Sequence, residues 1–286
     1  MSAPVTTTIR SSDGVELAVH DLGGEGPVVL LAHATGFHGL VWSPLAAALS
    51  DTYHCVAVDF RGHGDSTVPD HGSFDWAGFA DDVEAVIDHL GHPTPLWGIG
   101  HSKGGAALLL AEQRTPGTFA GLYLFEPIVL GPEARQASAA GLREHPLATG
   151  ARKRREVFAS RDEAYRNYAA KPPLDAFDPR ALEAYVDHGF VELDDGTVRL
   201  KCRGENEAQV YSMSTSHTAF DHLDEVRCPV VIAAGSPAEG GPASFAQPIA
   251  AAIPHGSFEQ HPELGHFGPL QAPDVIARRA REAFGR

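Results

Sequence analysis

The sequence predicts an α/β fold, a mostly parallel central sheet with helices on both faces, and three observations lead there. Short apolar runs such as Pro27 to His33 stop at turn residues, as expected of strands buried on both faces. Windows with helical spacing lie between them, for example Phe79, Val83, Val86, Ile87 and Leu90. The 286 residues also suffice for a self-sufficient core. At about 150 residues per domain two domains fit this length, but so does one sheet with an inserted segment.

Val15 to His20 alternates apolar and polar residues and is expected as an edge strand. Pro27 to His33 is the first buried strand, Trp42 to Leu49 a helix, and His54 to Asp59 the next buried strand. Phe79 to Leu90 is a helix. Leu96 to Ile99 is a strand followed at once by Gly100-His101-Ser102-Lys103-Gly104-Gly105 and an Ala/Leu-rich helix. Gly121 to Phe125, Pro229 to Ala234 and Ser257 to Gln260 complete the strands. Strands alternating with helices argue for parallel pairing.

The alternation breaks between about Gly131 and Ser216, where the chain is charged, Ala-rich and helical in tendency. It carries a basic run, Arg152-Lys153-Arg154-Arg155, expected as a solvated helix face. It also carries a Pro172-Pro173 break and a hairpin pattern, Gly189 to Cys202, around Asp194-Asp195-Gly196. Residues 131–216 are therefore expected to be a mainly helical cap inserted into a core made of residues 1–130 and 217–286.

The balance of 22 basic and 37 acidic residues gives a net charge of −15 with histidines neutral, which disfavours nucleic acid and anionic lipid as partners. Cys55, Cys202 and Cys228 are widely spaced and show no metal-binding pattern, which suits a reducing cytosol. Met1 to Arg10 lacks the apolar stretch of a signal peptide, and no apolar run approaches the roughly 18 residues of a membrane span. A soluble, cytoplasmic protein is expected, with oligomeric state open.

The most specific feature is Gly100-His101-Ser102-Lys103-Gly104, a G-x-S-x-G pattern between a strand and a helix. A serine on so sharp a turn is lifted above the sheet edge toward a helix N-terminus, where backbone N–H groups and the helix dipole favour negative charge. The phosphate-binding glycine patterns are absent, which counts against a nucleotide fold. Serine needs a base within reach, and of the 16 histidines His266, in Leu264-Gly265-His266-Phe267 after the last strand, is the candidate. His33, His63 and His101 are expected to shape loops and packing.

With these segments the chain resembles the α/β-hydrolase superfamily. His33-Ala34-Thr35-Gly36-Phe37 is similar to its oxyanion loop, and Asp59-Phe60-Arg61-Gly62-His63-Gly64-Asp65-Ser66 to its D-x-R-G-x-G-x-S turn. Gly265-His266-Phe267 lies where the family carries its catalytic histidine. The resemblance covers about residues 10 to 130 and 220 to 286, and it implies a triad without a cofactor or metal. The family usually places the acid after the strand Pro229 to Ala234, where this chain offers only Glu239. Some members carry it one strand earlier, which here is Glu126, between Phe125 and Pro127. Glu126 is the preferred acid and Glu239 the alternative. The oxyanion donors implied are the N–H groups of Lys103 and of Thr35, with Ala34 open as the second donor. Phe37 and Phe267 are expected in the pocket wall, with core packing the alternative for each.

A serine nucleophile fits acyl transfer rather than the aspartate-dependent displacements of related dehalogenases and epoxide hydrolases. The reading is a serine hydrolase for a small or medium ester or lactone. Alternatives with the same triad are a carbon–carbon bond hydrolase and a cofactor-free haloperoxidase-like perhydrolase. An acyltransferase and a non-catalytic ligand-binding protein on the same fold are further alternatives.

Overall fold

The computed structural model describes residues 4–140, 145–237 and 241–285. Strands β1 (Val5–Arg10), β2 (Glu16–Gly23) and β3 (Val28–Ala32) lead to helix α1 (Ser43–Leu49) and strand β4 (His54–Val58). Helix α2 (Trp76–His89), strand β5 (Leu96–His101), helix α3 (Lys103–Arg114) and strand β6 (Gly121–Phe125) follow. Between β6 and the next strand of the sheet lie α4 (Pro132–Ala140), α5 (Pro146–Arg152), β7 (Val157–Phe158), α6 (Arg161–Ala169), α7 (Pro179–His188), β8 (Phe190–Glu192), β9 (Val198–Leu200) and α8 (Gly204–Ser212). The chain then returns through β10 (Val230–Ala234), α9 (Ala243–Ala252), β11 (Gly256–Gln260), α10 (Gly268–Gln271) and α11 (Pro273–Phe284).

Eight strands form one sheet in the order β1-β2-β4-β3-β5-β6-β10-β11. The β1–β2 and β2–β4 joins are antiparallel and all the others parallel. One apolar layer, with Phe60, Trp76, Phe79 and Leu108, covers one face; Trp42, Tyr123, Ile276 and Phe284 belong to a second. The strand order reverses between β3 and β5, and in such sheets the crevice at the carboxyl ends of the strands is where ligands bind. Pairing of Ala32 with Gly100 and of His101 with Phe125 puts the segments after β3, β5 and β6 side by side on that edge.

Val15 to His20 is not at the edge. β2 pairs on one side with β4 and on the other with β1, whose Val5-Thr6-Thr7-Thr8-Ile9-Arg10 is almost wholly exposed. A threonine run is favourable in a strand because of its branched Cβ, but it shows no apolar alternation to read.

Between β6 and β10, helices accompany a small sheet of order β7-β9-β8. The hairpin around Asp194-Asp195-Gly196 pairs Phe190 with Leu200 and Glu192 with Val198, while Gly196 takes the left-handed conformation that its turn needs (φ 80°). The two-residue β7 is too short for any periodicity to reveal it. Arg152, Lys153 and Arg155 of the basic run are exposed, as expected of a solvated face, and only Arg154 turns inward. Arg152 pairs with Glu205 at 2.7 Å, the Arg154 guanidinium lies 2.6 Å from Glu207 and also contacts the hydroxyl of Tyr185, and Arg155 covers the Phe158 ring. Of the α8 acids, Glu205 pairs with Arg152 at the surface, while the buried Glu207 draws Arg154 inward. Among the described residues no helix is long and apolar enough to cross a membrane.

Candidate active site

Ser102 joins β5 to α3 with φ 54° and ψ −118°, a region that L-residues rarely occupy and that only a well-held turn maintains. Its N–H donates to Phe125 O at 3.0 Å, and its carbonyl accepts from the N–H groups of Ala106 and Ile128. Gly104 lets the start of α3 press against the end of β3, since a Cβ there would fall 2.2 Å from Ala32 O. That contact sets the nucleophile turn beside the loop His33–Phe37.

Glu126 ends the adjacent strand in the same manner, at φ 45°, with its N–H on Ala233 O at 2.8 Å. The residue is buried, and both carboxylate oxygens are satisfied. Oε1 accepts from Gly235 N at 2.8 Å, and Oε2 lies 2.6 Å from His266 Nδ1. Gly235 follows β10, at the start of the loop where a triad acid was looked for. A Cβ at Gly235 would fall 2.6 Å from the carbonyls of Leu264 and Gly265, so the position has room only for hydrogen and supplies a backbone donor to Glu126. Glu239 lies outside the described residues.

His266 sits on the loop after β11, and its side chain is partly exposed while Glu126 is buried. Its carbonyl accepts from His101 Nε2 at 2.8 Å, with the two rings 4.9 Å apart. Burial, then the neighbouring His266, holds His101 well below the ordinary imidazole range, so it acts here as a neutral brace for the loop.

Ser102, Thr35, Ala34, His266 and Phe267 open onto one cavity of about 480 Å³. Among the described residues Ser102 Oγ makes no hydrogen bond, so the hydroxyl–imidazole contact belongs to the proposed reaction and not to the observed geometry. Phe37 does not line this cavity. Its ring packs against Phe177, Tyr185 and Phe267 beneath the β6–β10 segment, the core role weighed against a place in the wall. The rest of the lining could not be read in the sequence: Trp76 comes from α2, and His145, Leu147, Tyr211 and Ser214 from the segment between β6 and β10. Among the described residues, none of the lining is Asp, Glu, Lys or Arg.

The oxyanion loop is pinned from beneath. His33 Nε2 accepts the Phe60 N–H at 3.1 Å, which places the ring proton on Nδ1, and Nδ1 donates to Ala34 O at 2.7 Å. Lys103 has its N–H at the start of α3, where no intrahelical acceptor exists. Its side chain points neither to solvent nor to His266; it is fully buried between Phe60 and Phe79.

The sequence profile of the Alpha/beta hydrolase family matches residues 29–279. Protein phosphatase methylesterase 1 of Homo sapiens is 38% identical over 92 residues, 31% of this chain and 24% of that protein. Probable oxidoreductase EphD of Mycobacterium tuberculosis is 35% identical over 98 residues, 34% of this chain and 17% of that protein. The chain thus spans about a quarter or less of these relatives' lengths. Among solved structures, E-2-(acetamidomethylene)succinate hydrolase superposes with a TM-score of 0.82 at 21% identity, covering 99% of this chain and 100% of that one. The thioesterase domain from the curacin biosynthetic pathway superposes at 0.75 and 19% identity, covering 98% and 100%. At these identities the likeness is one of fold.

Proposed function

The chain belongs to the Alpha/beta hydrolase family and is a hydrolase, and from that premise we propose that it cleaves small or medium uncharged esters or lactones through an acyl-enzyme on Ser102. His266 takes the Ser102 proton through Nε2 and returns it to the leaving group. Glu126 accepts the Nδ1–H, fixes that tautomer and stabilises the imidazolium as it forms. The tetrahedral oxyanion sits between the N–H groups of Lys103 and Thr35. Water then repeats the cycle on the acyl-enzyme, with His266 again as base.

The observation that carries this reading is the 2.6 Å contact between Glu126 and His266 at a cavity that Ser102 shares. A volume near 480 Å³ suits a small molecule. None of the described lining residues is Asp, Glu, Lys or Arg to pair with a substrate carboxylate, and the chain carries a net charge of −15, so neutral acyl and alcohol groups are favoured. In this reading residues 131–216 act as a cap, with His145, Leu147, Tyr211 and Ser214 closing the pocket.

The test is a panel of neutral aryl esters and lactones, each paired with an analogue bearing a terminal carboxylate. Turnover of neutral members, lost in Ser102→Ala, supports the reading, and preference for the carboxylates contradicts the substrate class. Diketones in the same panel identify a carbon–carbon hydrolase, and peroxide with acetate a perhydrolase.

A further inference from the structure

The triad chemistry leaves one group beside the site unused, the amine of Lys103. Among the described residues it has no hydrogen-bond partner, and it lies 4.2 and 4.4 Å from the ring centroids of Phe60 and Phe79. The two rings favour the ammonium form, but burying an amine without a hydrogen-bond partner is costly. A cation on the first residue of a helix also opposes the dipole. The position gives up stability on both counts.

What the amine faces gives it a use. His33 and His63, from the segments after β3 and β4, are both held well below the ordinary imidazole range, first by burial and next by the charge of Lys103. Arg61 and Asp59 from the segment after β4, Asp82 from α2 and Cys202 from before α8 also act on it. His33 Nδ1–H donates to the carbonyl of the Ala34–Thr35 peptide, whose N–H is the second proposed oxyanion donor. A hydrogen bond to that carbonyl strengthens the N–H as a donor. A second proton on His33 would remove Nε2 as the acceptor of the Phe60 N–H and release the loop.

We propose that the Lys103 ammonium is an electrostatic positioning group for the oxyanion site. Together with burial it keeps His33 in the neutral form whose Nδ1–H polarises the Ala34–Thr35 peptide, and it adds positive potential at the start of α3 where negative charge develops. The proposal rests on the Ser102 reading above. Burial pulls the amine down to about 7 against the upward pull of Cys202, Asp82 and Asp59. The ammonium is therefore present at lower pH and lost as pH rises through about 7.

Lys103→Met keeps the length and the backbone N–H while removing the charge. Wild type and variant are compared by fluorophosphonate labelling, by thermal melting, and by kcat and KM across pH 5.5 to 9 on a turned-over ester. The expected result is a higher Tm, with kcat at pH 6.5 lower by about tenfold and KM little changed. Wild-type kcat should decline above about pH 7, and the variant should lack that decline. A raised Tm with unchanged kcat and pH profile overturns the proposal. So does a wild-type kcat that does not fall above pH 7, whether or not the variant folds. Wild type that does not label at all overturns the serine reading instead.

Discussion

Glu126 Oε2 stands 2.6 Å from His266 Nδ1 while Glu126 Oε1 holds the Gly235 N–H at 2.8 Å, so one buried carboxylate ties the β6 end to both the β10 loop and the candidate base. Glu126→Gln keeps the shape but cannot both accept from Nδ1–H and stabilise an imidazolium. Loss of about 10³–10⁴ in kcat is expected, with the fold preserved. Glu239→Gln should change little. Steady-state kinetics on the same ester decide it, and the reverse ranking would move the role to Glu239.

The Gly235 position is tested by a methyl group. Gly235→Ala drives a Cβ to 2.6 Å from the Leu264 and Gly265 carbonyls, displacing the loop that carries His266. The expected cost is about 1–3 kcal/mol of stability, with serine labelling slowed more than the melting change alone explains. A variant that labels at the wild-type rate would show that this contact does not set the base.

Much of this arrangement was legible in the chain. The runs Pro27 to His33, His54 to Asp59, Gly121 to Phe125 and Pro229 to Ala234 mark their strands closely, because strands covered on both faces are apolar throughout. The contact of Glu126 with His266 follows from strand order, since both lie on the carboxyl edge of the sheet. What stayed hidden depends on tertiary placement. Arg154 reads in the chain as part of a surface run until α8 presents Glu207, and the Lys103 side chain carries no local signal of the Phe60 and Phe79 rings that enclose it. Tyr211 and Ser214 carry no local signal that they line the cavity of Ser102.

Arg154 and Glu207 bind the β6–β10 segment to itself and to the oxyanion loop. Glu207 Oε1 packs so closely over Gly36 that a Cβ there would come within 2.8 Å. Glu207→Gln leaves the half-buried guanidinium without its carboxylate, and a loss of about 2 kcal/mol is expected. Urea unfolding followed by tryptophan fluorescence measures it, and an unchanged midpoint would mean that the hydroxyls of Tyr168 and Tyr185, which the guanidinium also contacts, suffice as partners.

Buried histidines set the acid limit of the fold. His33, His63 and His101 are held well below the ordinary imidazole range, and His38 and His217 are lowered to about 4, with burial the largest cause in each. In the unfolded chain they protonate near pH 6.5. Their contribution to stability is complete above about 6.5 and is lost as pH falls toward about 4. Asp59 and Glu259, both lowered to about 2, stay ionised in the fold through this window. The urea midpoint should drop steadily between pH 6.5 and 4.5, and a flat profile would contradict the assignment.

The central claim is that Ser102 is an activated nucleophile. Intact-mass spectrometry after fluorophosphonate treatment, on wild type and on Ser102→Ala with matching melting curves, tests it most directly. One covalent adduct on wild type and none on the variant is the result the account predicts. No adduct on wild type, or equal labelling of both, would contradict it, and the first of these would favour a ligand-binding protein on the same fold.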